Sequence, residues 1–225
     1  MTIQANQIIR TRRKSIAIII EPGGRVVVRA PLYATDHQIA QFLALKADWV
    51  QAAVDKMRRL PPRQPKKRYR AGEEFLLLGE TLRLKIVEGG RSAVTRQGGY
   101  LCLRRDFQPR AKAALTAWYR QQARRVLTER VEHFARRHGF TYSKVRISSA
   151  RTRWGSCSTL GTLSFTWRLV MAPLEVIDYV VVHELVHTRV RNHSKGFWAA
   201  VAVLMPDYKA RRAWLKQHGA ALTVE

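Results

Sequence analysis

The chain has 225 residues, 46% of them hydrophobic, enough to bury a normal core in one or two compact domains. Lys and Arg total 41 against 16 Asp and Glu, and a net charge of +25 favours polyanionic partners such as nucleic acid, nucleotides or acidic substrates. Cys102 and Cys157 stand apart and exclude a disulfide framework, and no stretch approaches the ~20 apolar residues of a membrane span. Because Met1 to Ser15 is polar and basic rather than signal-like, the expectation is a soluble cytoplasmic protein with no membrane partner.

Ile8 to Arg13, Ile16 to Ile20 and Arg25 to Ala30 read as strands, the last two joined in a hairpin across Glu21-Pro22-Gly23-Gly24. Asp36 can cap a helix reaching about Arg59, with Ile39, Phe42, Leu43, Leu45, Trp49, Ala53 and Met57 as its apolar stripe. Pro61, Pro62 and Pro65 end it. From Arg58 to Arg70, seven of thirteen residues are basic and none acidic, a run suited to phosphates or to a solvated linker. A second β unit follows in Glu74 to Leu78, Leu82 to Val87, Ser92 to Arg96 and Tyr100 to Arg104.

A long helix is predicted from Pro109 to His138, stopped by Gly139, with Leu115, Trp118, Tyr119, Ala123, Leu127, Val131 and Phe134 inward and an Arg-rich outer face. Lys144 to Ser149, Arg153 to Ser156 and Thr162 to Arg168 are strand-like, and the last can accept an extended peptide by strand addition. Pro173 opens the next helix, Ser194 caps a further one, and Asp207 to His218 forms the last. The order reads as α+β, with helices packed against a mostly antiparallel sheet.

The chemistry concentrates in His183-Glu184-Leu185-Val186-His187, followed by His193. One helical turn separates His183 from His187, so both imidazoles leave the same face and can share one Zn²⁺. Glu184 then stands beside the first ligand, placed to act as general base on a metal-bound water. For His193 to fold back as third ligand the helix must end before it, and Asn192, which tolerates the left-handed conformation, is the expected ending. His218 is the competing third ligand. Three imidazoles suit Zn²⁺ but also accept Fe, Co, Ni or Cu.

The segment from Arg153 to Trp198, "RWGSCSTLGTLSFTWRLVMAPLEVIDYVVVHELVHTRVRNHSKGFW", together with "MPDYKARRAWLKQHG", resembles the YgjP-like family of zinc-dependent metallopeptidases, relatives of SprT-like and Wss1-like proteases. "RTRRKSIAIIIEPGGRVVVRAP" and "GEEFLLLGETLRLKI" extend the resemblance over nearly the whole chain. It implies zinc on His183, His187 and His193 with Glu184 catalytic, and a peptide or protein substrate whose identity it leaves open. The domain expectation is a β-rich N-terminal domain with one helix over residues 1–105. A zincin-like catalytic domain, its HExxH helix packed on a small sheet, then occupies 106–225.

An oxyanion-stabilising donor is not fixed by the pattern; Arg153, Arg168 and Tyr179 are the nearest candidates. Trp154-Gly155-Ser156-Cys157-Ser158 offers Ser and Cys nucleophiles, but no separate base-and-orienter pair accompanies them. It reads better as an edge segment beside the zinc cleft, with Gly155 allowing close backbone approach. Phe197 and Trp198 read as core aromatics. Two other functions remain open. One is a metal-dependent nucleotide phosphohydrolase (a nucleoside triphosphate pyrophosphatase), which the charge favours and the lack of a Gly-rich phosphate loop opposes. The other is a nucleic-acid-associated protein with a structural zinc site, which the intact Glu184 and three-ligand set oppose.

Overall fold

The computed structural model describes residues 4–21, 23–59 and 67–225 and is a mixed α+β protein. The three prolines after the first helical region, and most of the basic run from Arg58 to Arg70, lie outside the described residues. No helix among the described residues is long and apolar enough to cross a membrane. The chain divides into two compact units, residues 1–64 and 65–225.

In the first unit, β1 (Gln7–Thr11), β2 (Ala17–Ile20) and β3 (Val26–Pro31) form a sheet ordered β1-β3-β2. The expected β2–β3 hairpin is present, closed by the Glu21 and Gly24 amides on Arg25 O and Glu21 O. β1 joins the other side of β3 in parallel, so this small sheet is mixed. The single helix expected after Pro31 is two, α1 (Asp36–Leu45) and α2 (Ala47–Arg59), broken at Lys46. Its cap is Thr35 rather than Asp36. Thr35 Oγ1 accepts from the Gln38 amide while the Gln38 side chain accepts from the Thr35 amide, a reciprocal capping box. Ile39, Leu43, Val50 and Val54 are buried in steps of four, seven and four, which keeps one face of both helices on Val26, Val28 and Ala30. Leu45 and Trp49 lie off that line and stay 77% and 54% exposed, contrary to the stripe read from sequence.

The second unit begins with β4 (Glu74–Leu77), β5 (Glu80–Val87), β6 (Val94–Gln97) and β7 (Tyr100–Arg104), a sheet ordered β4-β5-β7-β6. A 3₁₀ segment then leads into α3 (Ala111–His138), which Gly139 closes in the left-handed conformation at φ 65°. β8 (Lys144–Ser148), β9 (Gly155–Cys157) and β10 (Thr162–Thr166) form a third sheet, ordered β8-β10-β9. α4 (Leu174–Val186), α5 (Lys195–Leu204) and α6 (Tyr208–His218) complete the unit.

The compact division at 64/65 differs from the 105/106 boundary expected from sequence. The reason is packing. The β4–β7 sheet belongs to the same apolar core as α3 and α4: Phe75, Leu82 and Leu101 share one buried cluster with Leu115, Tyr119 and Val181. Tyr119 Oη donates to Leu76 O at 2.8 Å, and the Leu78 amide donates to Val170 O at 2.8 Å. The tight β4–β5 turn also meets the start of α4, where a Cβ on Gly79 would sit 3.1 Å from Pro173. α4 is therefore packed on several sides, and its inner residues Ile177, Val181, Val182 and Leu185 have no exposure at all. The Arg130 guanidinium on α3 fixes its outer flank through two bonds to Asp178, 2.6 and 2.8 Å long.

Candidate metal centre

α4 carries His183 and Glu184 in its last turn, and His187 is its C-cap. The helix ends five residues earlier than the sequence suggested, and Asn192 is not left-handed. The ending is instead a tightened turn in which the Thr188 and Arg189 amides bond Leu185 O and Val186 O. The chain then crosses to Ser194, whose hydroxyl accepts from the Phe197 amide and starts α5. His193, one residue before that cap, is thereby brought back over α4.

The three imidazoles converge. His183 Nε2 lies 3.2 Å from His187 Nε2 and 3.1 Å from His193 Nε2, and the last two are 3.2 Å apart. Among the described residues these three are the group of ligand atoms able to hold one metal ion. His187 Nδ1 lies 3.0 Å from Val190 O. A carbonyl only accepts, so the proton is on Nδ1 and the Nε2 lone pair faces the other two rings. Lone pairs packed this closely repel unless a cation lies between them. Nitrogens sharing a tetrahedral zinc at ~2.0–2.1 Å stand roughly 3.3 Å apart, which this arrangement matches closely. The residues fit a three-histidine ion site.

Electrostatics point the same way. Burial, then the neighbouring His187 and His193, push the His183 pKa down to about 3, so it offers a neutral ring at ordinary pH. Burial also lowers His187. Glu184, 5% exposed, is pushed up to about 8 by burial, with the Arg153 charge pulling the other way. Its Oε2 is buried without a hydrogen-bond partner, as is His183 Nδ1. A buried carboxylate with an unused oxygen beside three neutral imidazoles is equipped to take up a proton.

Two features of this site gain their partners only in three dimensions. Phe197 is fully buried against the triad, its ring centroid 4.4 Å from His187, 4.9 Å from His183 and 4.8 Å from His193. Trp198 stacks on His193 at 5.7 Å and on Tyr208 at 5.3 Å. The two aromatics are packing residues, as their pattern suggested, but what they pack is the three converging histidines. The second feature is Gly155, which lies so close to Glu184 that a Cβ would come 2.5 Å from Oε1. Next to it, Trp154 fills the space over Gly219, where a Cβ would stand 2.6 Å from its ring. The edge reading of Trp154 to Ser158 holds: among the described residues β9 pairs with β10 alone, leaving one edge free. β10 pairs on both sides, so the sheet's two edges belong to β8 and β9 and not to the Thr162–Arg168 segment, and β9 is the edge beside Glu184.

The competing ligand His218 and the donor candidates separate cleanly. His218 stays on α6, its Nδ1 at 3.0 Å from Trp214 O and its ring stacked on Trp214, outside the triad. Tyr179 is buried one turn before His183, with ring centroids 5.9 Å apart. Arg168 lies over Trp167 and bonds Ser149 O, a structural engagement. Arg153 is exposed beside Gly155. Cys157 accepts from Arg191, and burial raises its thiol pKa, which disfavours a thiolate nucleophile.

The family model described as "YgjP-like, metallopeptidase domain" matches residues 14–218. Comparison with curated proteins gives no significant match. Among solved structures the chain is similar to the metallopeptidase zymogen of Pyrococcus abyssi abylysin. That similarity has 24% identity and a TM-score of 0.37, and it covers 40% of this chain and 93% of that one.

Proposed function

The chain belongs to the YgjP-like family and is a metallopeptidase by that membership, and we propose that it works with zinc held by His183, His187 and His193 and with Glu184 as general base. The observation that carries this reading is the meeting of three imidazole nitrogens 3.1–3.2 Å apart beside a buried, partnerless carboxylate oxygen. When bound, zinc supplies Lewis acidity that brings the pKa of water towards ~7. Glu184 takes the proton of the attacking water on its carboxylate. Burial favours its protonated form and a bound dication would favour the carboxylate, so the same group can accept the water's proton and pass it to the leaving amine. His187, held by Val190 O, and Phe197 behind the rings keep the imidazoles aimed at one point. The free edge of β9 supports an extended peptide bound by strand addition, its backbone running past Gly155 and Glu184.

The charge supports an additional polyanionic partner, such as nucleic acid. Arg124, Arg125, Arg136 and Arg137 are exposed on α3, and none has an acidic partner among the described residues. The test of the catalytic reading is direct. Zinc-loaded protein is incubated separately with a mixed peptide library and with nucleoside triphosphates, and products are read by mass spectrometry. Peptide cleavage that a chelator abolishes and zinc restores supports it. Hydrolysis of nucleotides alone would transfer the site to phosphoanhydride chemistry.

A further inference from the structure

The outer face of the β8-β10-β9 sheet carries a cavity of about 220 Å³, lined by Arg146, Arg153, Ser156, Ser164, Gly155 and Thr166 among others. At roughly 30 Å³ per water it has room for about seven waters, or for a short side chain with its solvation. We propose that this cavity is a specificity pocket for a carboxylate of the peptide substrate, read by Arg146 and Arg153; this deepens the peptidase reading above and rests on it.

Strand register builds the pocket. Ser164 lies opposite Arg146 on one side and opposite Ser156 on the other, so these three side chains form one row across the sheet. Phe165, with Ile147 and Gly155 as its partners, forms the adjacent row and points the other way, into the core and towards Glu184. One face of the sheet is thus apolar and abuts the catalytic carboxylate. The other is a row of donors.

Its chemistry selects an anion. No acidic residue lines the cavity. Elsewhere in the unit, arginines meet acids: Arg96 with Glu80, Arg104 with Asp106, Arg130 with Asp178, Arg211 with Asp207. Among the described residues neither the Arg146 nor the Arg153 side chain makes an ion pair or a hydrogen bond, and the hydroxyls of Ser156 and Ser164 are likewise uncommitted, their strands pairing through the backbone. Two guanidiniums and two hydroxyls therefore line the same space with no acid among its lining residues, the carboxylate that feels the Arg153 charge being Glu184 on the other face of the sheet. A carboxylate there accepts paired N–H donors from arginine, the strongest kind of hydrogen bond available to it.

Position selects a peptide as the source. β9 forms one wall of the cavity, and its Gly155 touches Glu184 from the opposite face. An extended peptide added to the free edge of β9 sends alternate side chains to opposite faces of the sheet. A residue one or two positions from the scissile bond therefore points to the arginine side while the backbone stays beside Glu184. The expected substrates carry Asp or Glu there, or end there in a free carboxylate.

The experiment compares internally quenched peptides differing only by Glu or Gln at each position flanking the cut, with free or amidated C-termini. Wild-type zinc protein should cleave the best Glu peptide at least tenfold better in kcat/KM than its Gln twin. Arg146→Gln and Arg153→Gln should each lower that ratio severalfold, and the double variant should bring it near one. Arg153→Glu should shift the preference towards Lys. Arg124→Gln, on the outer face of α3, should leave the ratio unchanged. A preference that vanishes on amidation assigns the pocket to the terminal carboxylate, and one that persists assigns it to a side chain. Equal cleavage of the Glu and Gln twins by wild type, or a preference that survives the double variant, overturns the proposal. Binding of the same peptides to the Glu184→Gln protein, read by fluorescence anisotropy, keeps the two readings apart. If no peptide is cleaved, a Glu-over-Gln affinity difference that depends on Arg146 and Arg153 still supports the pocket, and its absence overturns it. Displacement of bound peptide by oligonucleotide with no Glu preference would make the cavity a phosphate site instead.

Discussion

Gly155 and Glu184 are in van der Waals conflict with any side chain larger than hydrogen: a Cβ on Gly155 would stand 2.5 Å from Glu184 Oε1 and 2.7 Å from its Cγ. Gly155 has an ordinary φ, so this glycine is required by proximity rather than by backbone conformation. The Glu184 carboxylate leans directly on the edge strand β9, and β9 and α4 therefore fix each other's position.

Gly155→Ala tests that contact. The methyl must displace a carboxylate that is only 5% exposed, with little room to turn. We expect peptide turnover to fall by ~10-fold or more, less than outright loss of a general base costs, with zinc content unchanged. Activity equal to wild type would show that the carboxylate relaxes without consequence.

The ligand set is tested by metal titration of four alanine variants. His183→Ala, His187→Ala and His193→Ala each remove one of three converging nitrogens and should weaken zinc binding severely. His218→Ala should leave it nearly unchanged, since that ring lies on Trp214 of its own helix. A zinc-replete His193→Ala protein or a zinc-poor His218→Ala protein would reverse the assignment.

Burial of Glu184 has a cost that metal-free protein should reveal. Its folded pKa of about 8 exceeds the ordinary 4.5, so the folded state keeps a proton that the unfolded chain releases. Stability of the metal-free protein should therefore decline as pH rises from about 4.5 to 8. Glu184→Gln removes this titration and should stabilise the metal-free protein at pH 7 by on the order of 2–3 kcal/mol, with little difference near pH 4. His183, whose folded pKa is lowered instead, adds a separate loss of stability below about pH 6.5 that both proteins share. Urea unfolding at several pH values gives the comparison, and parallel curves for the two proteins would contradict it.

Much of this was readable in advance, for identifiable reasons. The HExxH spacing fixes the ligand face of a helix whatever surrounds it, and Gly139 and Ser194 mark their helix boundaries as the local rules predict. What depended on tertiary contacts was not readable. The end of α4 is set by bonds within residues 185–190 and by the Val190 carbonyl, so Asn192 carried no real signal. The grouping of β4–β7 with α3 depends on Tyr119 reaching Leu76 and on Gly79 meeting Pro173, neither of which has a sequence pattern. Leu45 and Trp49 looked buried because they are apolar, yet the 39-43-50-54 line passes them by. Gly155 stood out in sequence as a point of close backbone approach, but its partner is visible only in three dimensions.

The basic surface carries its own test. If about four phosphates of duplex DNA are neutralised, affinity should drop roughly a hundredfold between 50 and 200 mM salt. Replacing Arg124, Arg125, Arg136 and Arg137 by Gln should weaken binding and flatten that dependence, with zinc content unaltered. No binding at low salt would leave the charge without a nucleic-acid partner.

The most direct test of the account is zinc content and peptide hydrolysis measured together on Glu184→Gln. The substitution keeps the shape of a side chain beside His183 but removes its ability to accept a proton. About one zinc per chain is expected, as in wild type, with a rate lower by ~10²–10⁴-fold. A variant that retains wild-type turnover, or one that loses its zinc along with its activity, would contradict the role assigned to Glu184.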